Sequence, residues 1–291
     1  MVAILSFGVT SMQSLPIRTT GQLFLHSCLH LFGLQRSAFT IAIRIMLEVC
    51  IDSLESALNA IRGGAEELEI CSSLAEGGLT PSAGLVKQII NVADKAKKRP
   101  KINIMIRSRA GSDFCYTDEE MDTMLSDIVI LKKFDPDRFV FGALTQEQSI
   151  DILNCNKVIE TAKPLPVTFH RAFDVCRDPL TAVDEIIKIG FTRLLTSGQR
   201  TSVNDHEAVH LIKTLVGNYG DNIEIMPGAG INVDNAKAFI DLGCKIVHSS
   251  CKRTKYLPKV NNLSMGTNDS EYIYVTDENV VRRTKEILIT C

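Results

Sequence analysis

The chain has 291 residues, 45% of them apolar, and a formal net charge of −2. That supports a sizeable core, and near-neutrality removes any global electrostatic case for nucleic acid or an anionic membrane as partner. Nine cysteines without one Cys-x-x-Cys pair argue against a disulfide framework or a zinc ribbon and favour a reducing compartment.

Residues 1–47 contain no Asp or Glu and carry Arg18, Arg36 and Arg44 among many Ser and Thr. Such an acid-free leader resembles a mitochondrial-type transit peptide. The competing reading starts the folded protein at Met46, directly before the first strand-like run. The apolar stretch Leu23 to Leu34 is too short and too interrupted by His and Ser to span a bilayer. Either way, residues 1–45 are an N-terminal extension.

From there, short apolar strands alternate with helical patterns. Strands are predicted at Leu47–Ile51, Glu67–Cys71, Ile102–Ile106, Arg138–Phe141, Val167–His170, Arg193–Thr196, Ile223–Met226 and Lys245–His248. Ser53 caps the first helix, which stops at Gly63-Gly64. The second runs from about Ser82 to Lys95. The third begins at Thr117, with Glu120 in capping-box position. Others start near Asp178 and Asn232. The basic run Lys95 to Arg99 falls at a helix C-terminus, where it suits the helix dipole. Eight strand–helix units imply an α/β fold, a single-domain (β/α)8 TIM-type barrel of roughly 250 residues. An open doubly wound sheet would need a Gly-rich fingerprint after the first strand, and none is there. The barrel spans 46–251. Residues 252–291 supply a polar linker, about 252–270, and a last helix from Thr276 to Ile289.

In such barrels the strand C-termini converge on one site, and here they are rich in ionisable groups. Glu48 and Cys50 share one face of the first strand, as do Glu69 and Cys71 on the second. Two thiolates on adjacent strands suit a soft metal such as Cu(I); two small buried hydrophobes is the plainer alternative. Buried Glu needs a partner, and Arg107 and Arg109 at the end of the third strand are the candidates. The same two arginines could instead capture a carboxylate or phosphate bidentately.

His170, Arg171 and Asp174 follow the fifth strand. His170 could exchange a proton with a substrate, with Glu48 or Glu69 as partner base. Asp174 could orient its imidazole or cap the next helix. Ser197-Gly198, Gly228-Ala229-Gly230 and His248-Ser249-Ser250 offer backbone N–H groups where barrels commonly bind phosphate, unless the glycines serve only tight turns.

Eight segments in order carry a resemblance: Leu47-Glu48-Val49-Cys50, Glu69-Ile70-Cys71-Ser72, Gly77 to Ser82, Met105-Ile106-Arg107, Val140 to Leu144, Thr168 to Asp174, Leu195 to Gly198 and Met226 to Ile231. Together they resemble the CutC copper-homeostasis family over about residues 46–251. The 252–291 tail looks like that of animal members. The resemblance implies a TIM barrel that binds copper as Cu(I), with Cys50 and Cys71 as thiolate ligands. It further implies a homo-oligomer located in the cytoplasm, with the nucleus as an additional compartment. Glu48, Glu69, Arg107, Arg109, His170, Asp174 and His248 match the family pattern. Ser108 stands where Pro is usual, Ala110 and Ala229 where Gly is usual, and Asp135 to Arg138 replaces a Gly-containing turn. A copper carrier needs two thiolates, not a His, several Arg, two Glu and a glycine turn at one mouth. That surplus keeps open a second reading, an enzyme acting on a small anionic, perhaps phosphorylated, metabolite.

Overall fold

Eight parallel strands form one sheet, in which the second to the seventh strand each lie beside the one before in sequence and the eighth lies beside the first. The computed structural model describes residues 45–258 and 271–289. The N-terminal extension and the centre of the expected linker lie outside the described residues. The strands are β1 (Met46–Ile51), β2 (Glu67–Ile70), β3 (Lys101–Met105), β4 (Arg138–Phe141), β5 (Val167–Phe169), β6 (Arg193–Thr196), β7 (Glu224–Pro227) and β8 (Ile246–Ser249). β7 and β8 also come into contact, so the sheet is nearly closed and the expected barrel is present. The described residues fall within one compact unit, Ile43–Cys291.

The helices between the strands begin and end on local chemistry. The Ser53 hydroxyl caps α1 (Leu54–Gly63) by accepting from Ser56 N–H at 3.2 Å, and Gly64 closes it at φ 93°, a left-handed geometry that glycine adopts without cost. Ser82 caps α2 (Ala83–Ala93). Both bonds of the Thr117–Glu120 capping box form at the start of α3 (Asp118–Leu131). α4 (Ile152–Ala162), α5 (Pro179–Ile189, capped by Asp178) and α6 (His206–Tyr219) follow. The helix expected near Asn232 starts later, as α7 (Ala236–Asp241). The Asn232 side chain accepts from Asp234 and Asn235 N–H, a local turn that competes with the helix.

The tail differs more. The expected linker contains β9 (Lys252–Tyr256), which pairs antiparallel with β10 (Tyr272–Thr276), and the last helix, α8 (Glu278–Ile289), starts two residues after Thr276. Tyr-Ile-Tyr-Val-Thr is aromatic and β-branched throughout, so strand preference wins over the helix start. Asp277 then supplies the cap, accepting from Asn279 N–H at 2.8 Å. Among the described residues no helix is long and apolar enough to cross a membrane.

Strand alternation splits the interior in two. Leu47, Val49, Ile51, Leu68, Ile70, Ile102, Ile104, Phe139, Phe141, Phe169 and Leu194 belong to one buried apolar cluster, the layer between sheet and helices. Many of the intervening positions are buried yet polar, namely Glu48, Glu67, Glu69, Asn103, Thr168, Arg193 and His248, beside two small apolar clusters around Met105 with Val140 and Leu195 with Met226. They have the opposite strand parity and fill the barrel interior.

Candidate functional site

The lower interior is organised by Arg193, which is 1% exposed. Its guanidinium donates to Glu67 at 2.7 and 3.2 Å, to Glu48 Oε2 at 3.3 Å and to Glu224 at 2.6 Å. Asn103 Nδ2 donates to Glu67 at 2.8 Å and also to Glu48 Oε2. Burial drives the Glu67 carboxyl upward, but Arg193 overrides it and holds Glu67 down at about 2. A cation and an amide thus compensate carboxylates from three strands. Arg107 and Arg109 were the expected partners of Glu48 and Glu69, and neither takes that place. Arg193, Asn103 and Glu67 were missed. Their signal was parity: Glu67 stands two before Glu69, and Arg193 two before Leu195, so each shares its neighbour's face.

Above this floor, β1 and β2 pair with Cys50 opposite Glu69, and β1 and β8 with Glu48 opposite His248. The register brings Cys50, Glu69 and His248 together, one ligand atom from each lying within 4.8 Å of the others, all three residues buried. His248 Nδ1 is 2.8 Å from Glu48 Oε1, and Nε2 is 3.7 Å from Glu69 Oε2. Cys71 follows directly after β2, two residues beyond Glu69; its thiol donates to Glu69 Oε2 at 3.5 Å.

The groups tune one another. Burial pulls the His248 ring down, but Cys50 and the Glu69 and Glu48 carboxylates raise it well above the ordinary imidazole value. Burial, opposed by His248 and assisted by Glu48, pushes Glu69 up to about 7. Burial, then Glu69, pushes the Cys71 thiol well up. Gly228 leaves the ring its space: a Cβ there would stand 3.3 Å from His248 Cβ and Cδ2 and 2.6 Å from Leu195 Cδ1.

The other predicted residues have different employment. Arg107 donates to the carbonyls of Glu76, Gly78 and Gly111 at 2.8, 3.1 and 2.6 Å, pinning two mouth loops. Arg109 is engaged by Glu120 and by both oxygens of Asp113. His170 is buried, and its Nδ1 accepts from Ala172 N–H at 3.2 Å, capping a short 3-10 turn. Burial, with Arg107 nearby, depresses His170 to about 3, so it is neutral. Its ring fits because residue 142 is glycine: a Cβ there would stand 2.5 Å from Nδ1. Its Nε2 has no partner among the described residues.

Asp174 does not orient His170. Its Oδ1 accepts from Thr196 Oγ1 at 2.5 Å, Ser197 N–H at 3.0 Å and Gln199 N–H at 3.2 Å, and its Oδ2 from Arg171 and Ser197 Oγ, each at 2.8 Å. Of the groups expected to hold an external anion, the protein's own carboxylate therefore engages Ser197. Gly198 N–H donates to Thr196 Oγ1 and Gly228 N–H to Thr196 O, both at 2.9 Å. Gly230 adopts φ +107°, and its carbonyl accepts from Asn235 at 2.8 Å.

A parallel barrel whose interior carries a buried thiol, imidazole and carboxylate at the C-terminal mouth, over an ion-paired floor, defines a β/α barrel with a candidate metal centre. The CutC family model matches residues 45–253. The chain is 42% identical over 248 residues to the "Copper homeostasis protein cutC homolog" of Caenorhabditis elegans, covering 84% of this chain and 96% of that protein. It is 40% identical to the human protein of the same description, over 83% of this chain and 88% of that one. The crystal structure of the putative copper homeostasis protein CutC from Streptococcus agalactiae superposes with a TM-score of 0.65 at 32% identity, covering 71% of this chain and 98% of that one. The chain belongs to the CutC family.

Proposed function

We propose that this chain is a copper-homeostasis protein that holds one Cu(I) ion at the C-terminal mouth of its barrel. The observation that carries the reading is the convergence of Cys50, Glu69 and His248 ligand atoms within 4.8 Å of one another in a buried setting. The copper-homeostasis descriptions of its animal relatives point the same way. The donor chemistry fits: a thiolate and an imidazole suit copper, and thiolate in particular favours the soft monovalent ion. Cys50 and His248 are the first ligands on this reading. Cys71 is the second thiol, and it must lose its proton to bind metal. Glu69 Oε2, 3.5 Å from the Cys71 sulfur, is the acceptor in place to take that proton. Cytoplasmic or nuclear location and self-association are carried by the family resemblance alone.

The alternative, an enzyme for a small anionic metabolite, relied on Arg107, Arg109, Ser197, Gly198, Gly228, Gly230 and His248, and the first five of these were needed as free donors. The bonds described above engage the arginines with loops and acids, and Ser197, Gly198 and Gly228 N–H with Asp174 and Thr196. That favours the copper reading. The test is competition for Cu(I) against bathocuproine. Wild-type protein should hold one copper per chain. Cys50→Ser and His248→Asn should each lower the affinity at least about tenfold, and Cys71→Ser should weaken it. Undiminished binding in Cys50→Ser with His248→Asn would exclude this site.

A further inference from the structure

The pair Glu48–His248 is built differently from the rest of the interior. Glu48 is fully buried, and its two oxygens have separate duties. Oε2 accepts from Asn103 Nδ2 and, at 3.3 Å, from Arg193 Nη1, while Oε1 faces His248 Nδ1 at 2.8 Å. The donors on Oε2 are themselves fixed: Arg193 is tied to Glu67 and Glu224, and Asn103 to Glu67. The carboxylate therefore has little freedom to rotate. Its remaining oxygen is aimed at one atom of one ring.

We infer that Glu48 is a positioning residue for His248, held to that task by Arg193 and Asn103, so that Nδ1 is committed to Glu48 and Nε2 is the atom presented to metal. The inference rests on the copper reading for its purpose, but not for its geometry. An imidazole binds metal through one nitrogen, and the hydrogen bond made by the other decides which. With Nδ1–H donated to Glu48, the ring can offer only Nε2, the atom on the side of Glu69 at 3.7 Å. Gly228 completes the arrangement, because its lack of a side chain leaves the Cδ2 edge of the ring unobstructed. Glu48 thus acts through His248 and touches no metal. The same logic gives Asn103 and Arg193 a role beyond neutralising charge: they choose which Glu48 oxygen is left over.

The test has two arms, both on the full chain. In metal-free wild-type protein labelled with nitrogen-15 histidine, proton–nitrogen spectra should show a downfield, slowly exchanging ring proton on His248 Nδ1. It should be lost or moved strongly upfield in Glu48→Gln, and weakened in Asn103→Ala, the milder change should Glu48→Gln fail to fold. A rapidly exchanging Nδ1 proton, or a bare Nδ1, in the wild type overturns the inference without any variant. In the second arm, bathocuproine competition should show Glu48→Gln lowering Cu(I) affinity about 10–100-fold, with no further loss when added to His248→Asn. An equal loss in both backgrounds would make Glu48 merely structural and overturn the positioning role. If copper binding ignores Cys50 and His248 altogether, the copper reading fails while the spectra still decide the hydrogen bond.

Discussion

Arg193 grips Glu67 by two hydrogen bonds, of 2.7 and 3.2 Å, across the interior of the barrel. Neither side chain reaches solvent, since they are 1% and 0% exposed. Removing one partner of such a pair leaves an uncompensated buried charge. Arg193→Met should lower stability by about 3–5 kcal/mol, read from the urea midpoint at unchanged m. Adding Glu67→Gln should recover part of the loss. A variant within about 0.5 kcal/mol of wild type would mean that Glu48 and Glu67 find other compensation.

Asp174 serves as an internal anion for the turn after β6. Asp174→Ala strands the N–H groups of Ser197 and Gln199 and the Thr196 hydroxyl, at about 1–3 kcal/mol for each group left unsatisfied. The vacated cradle should accept a small oxyanion. Formate or phosphate should raise the melting temperature of Asp174→Ala by mass action and leave the wild type almost unmoved. Equal shifts in both proteins would refute the cradle.

Ala229 adopts φ +69°, a left-handed conformation that costs a residue with a Cβ about 1–2 kcal/mol. Ala229→Gly removes that cost at the price of a looser unfolded chain. The net expectation is a gain of about 1 kcal/mol or less, seen as a higher melting temperature. A loss would show that the Ala229 methyl makes contacts worth more than the strain.

His170 and His248 bend the pH profile in opposite windows. The His170 folded value, about 3, lies below the unfolded 6.5. The unfolded chain therefore takes the proton first, and stability is lost as pH falls below 6.5. His248 is raised, so its contribution is complete below 6.5 and is lost only as pH rises through its folded value. Glu69, raised to about 7, works against His170, gaining stability as pH falls from 7 toward 4.5. The His170 share is isolated by comparison with His170→Asn. The stability gap between wild type and variant should narrow by about 1 kcal/mol between pH 7 and pH 5.5. A constant gap would mean that the buried ring accepts a proton at its ordinary value.

The eight strands and most helix starts were readable because their signals are local. Ser53, Thr117 with Glu120, and Asp178 cap helices within a few residues of themselves. Several strand ends, among them those at Cys71, Ile106, His170, Met226 and His248, lie one residue from their expected positions, because pairing with the neighbouring strand, not the local run, sets where a strand stops. The tail differs from expectation because Lys252 to Tyr256 is a polar run that becomes a strand only by pairing with Tyr272 to Thr276, whose own strand preference the helix-start residues Thr276 to Asn279 masked.

The sequence by itself determined the alternation of strands and helices, hence the barrel, and placed Glu48 with Cys50 and Glu69 with Cys71 on matched strand faces, with His248 at the end of the last strand. Those are properties of period and parity, which need no partner. Only the tertiary structure decided who meets whom. The register set Cys50 against Glu69 and Glu48 against His248, and the closing of the sheet carried Arg193 on β6 across to Glu48 and Glu67. Charges choose partners by distance in three dimensions. Arg107 and Arg109, near Glu48 and Glu69 by strand order, instead bind carbonyls of the loops after β2 and β3 and acids after β3.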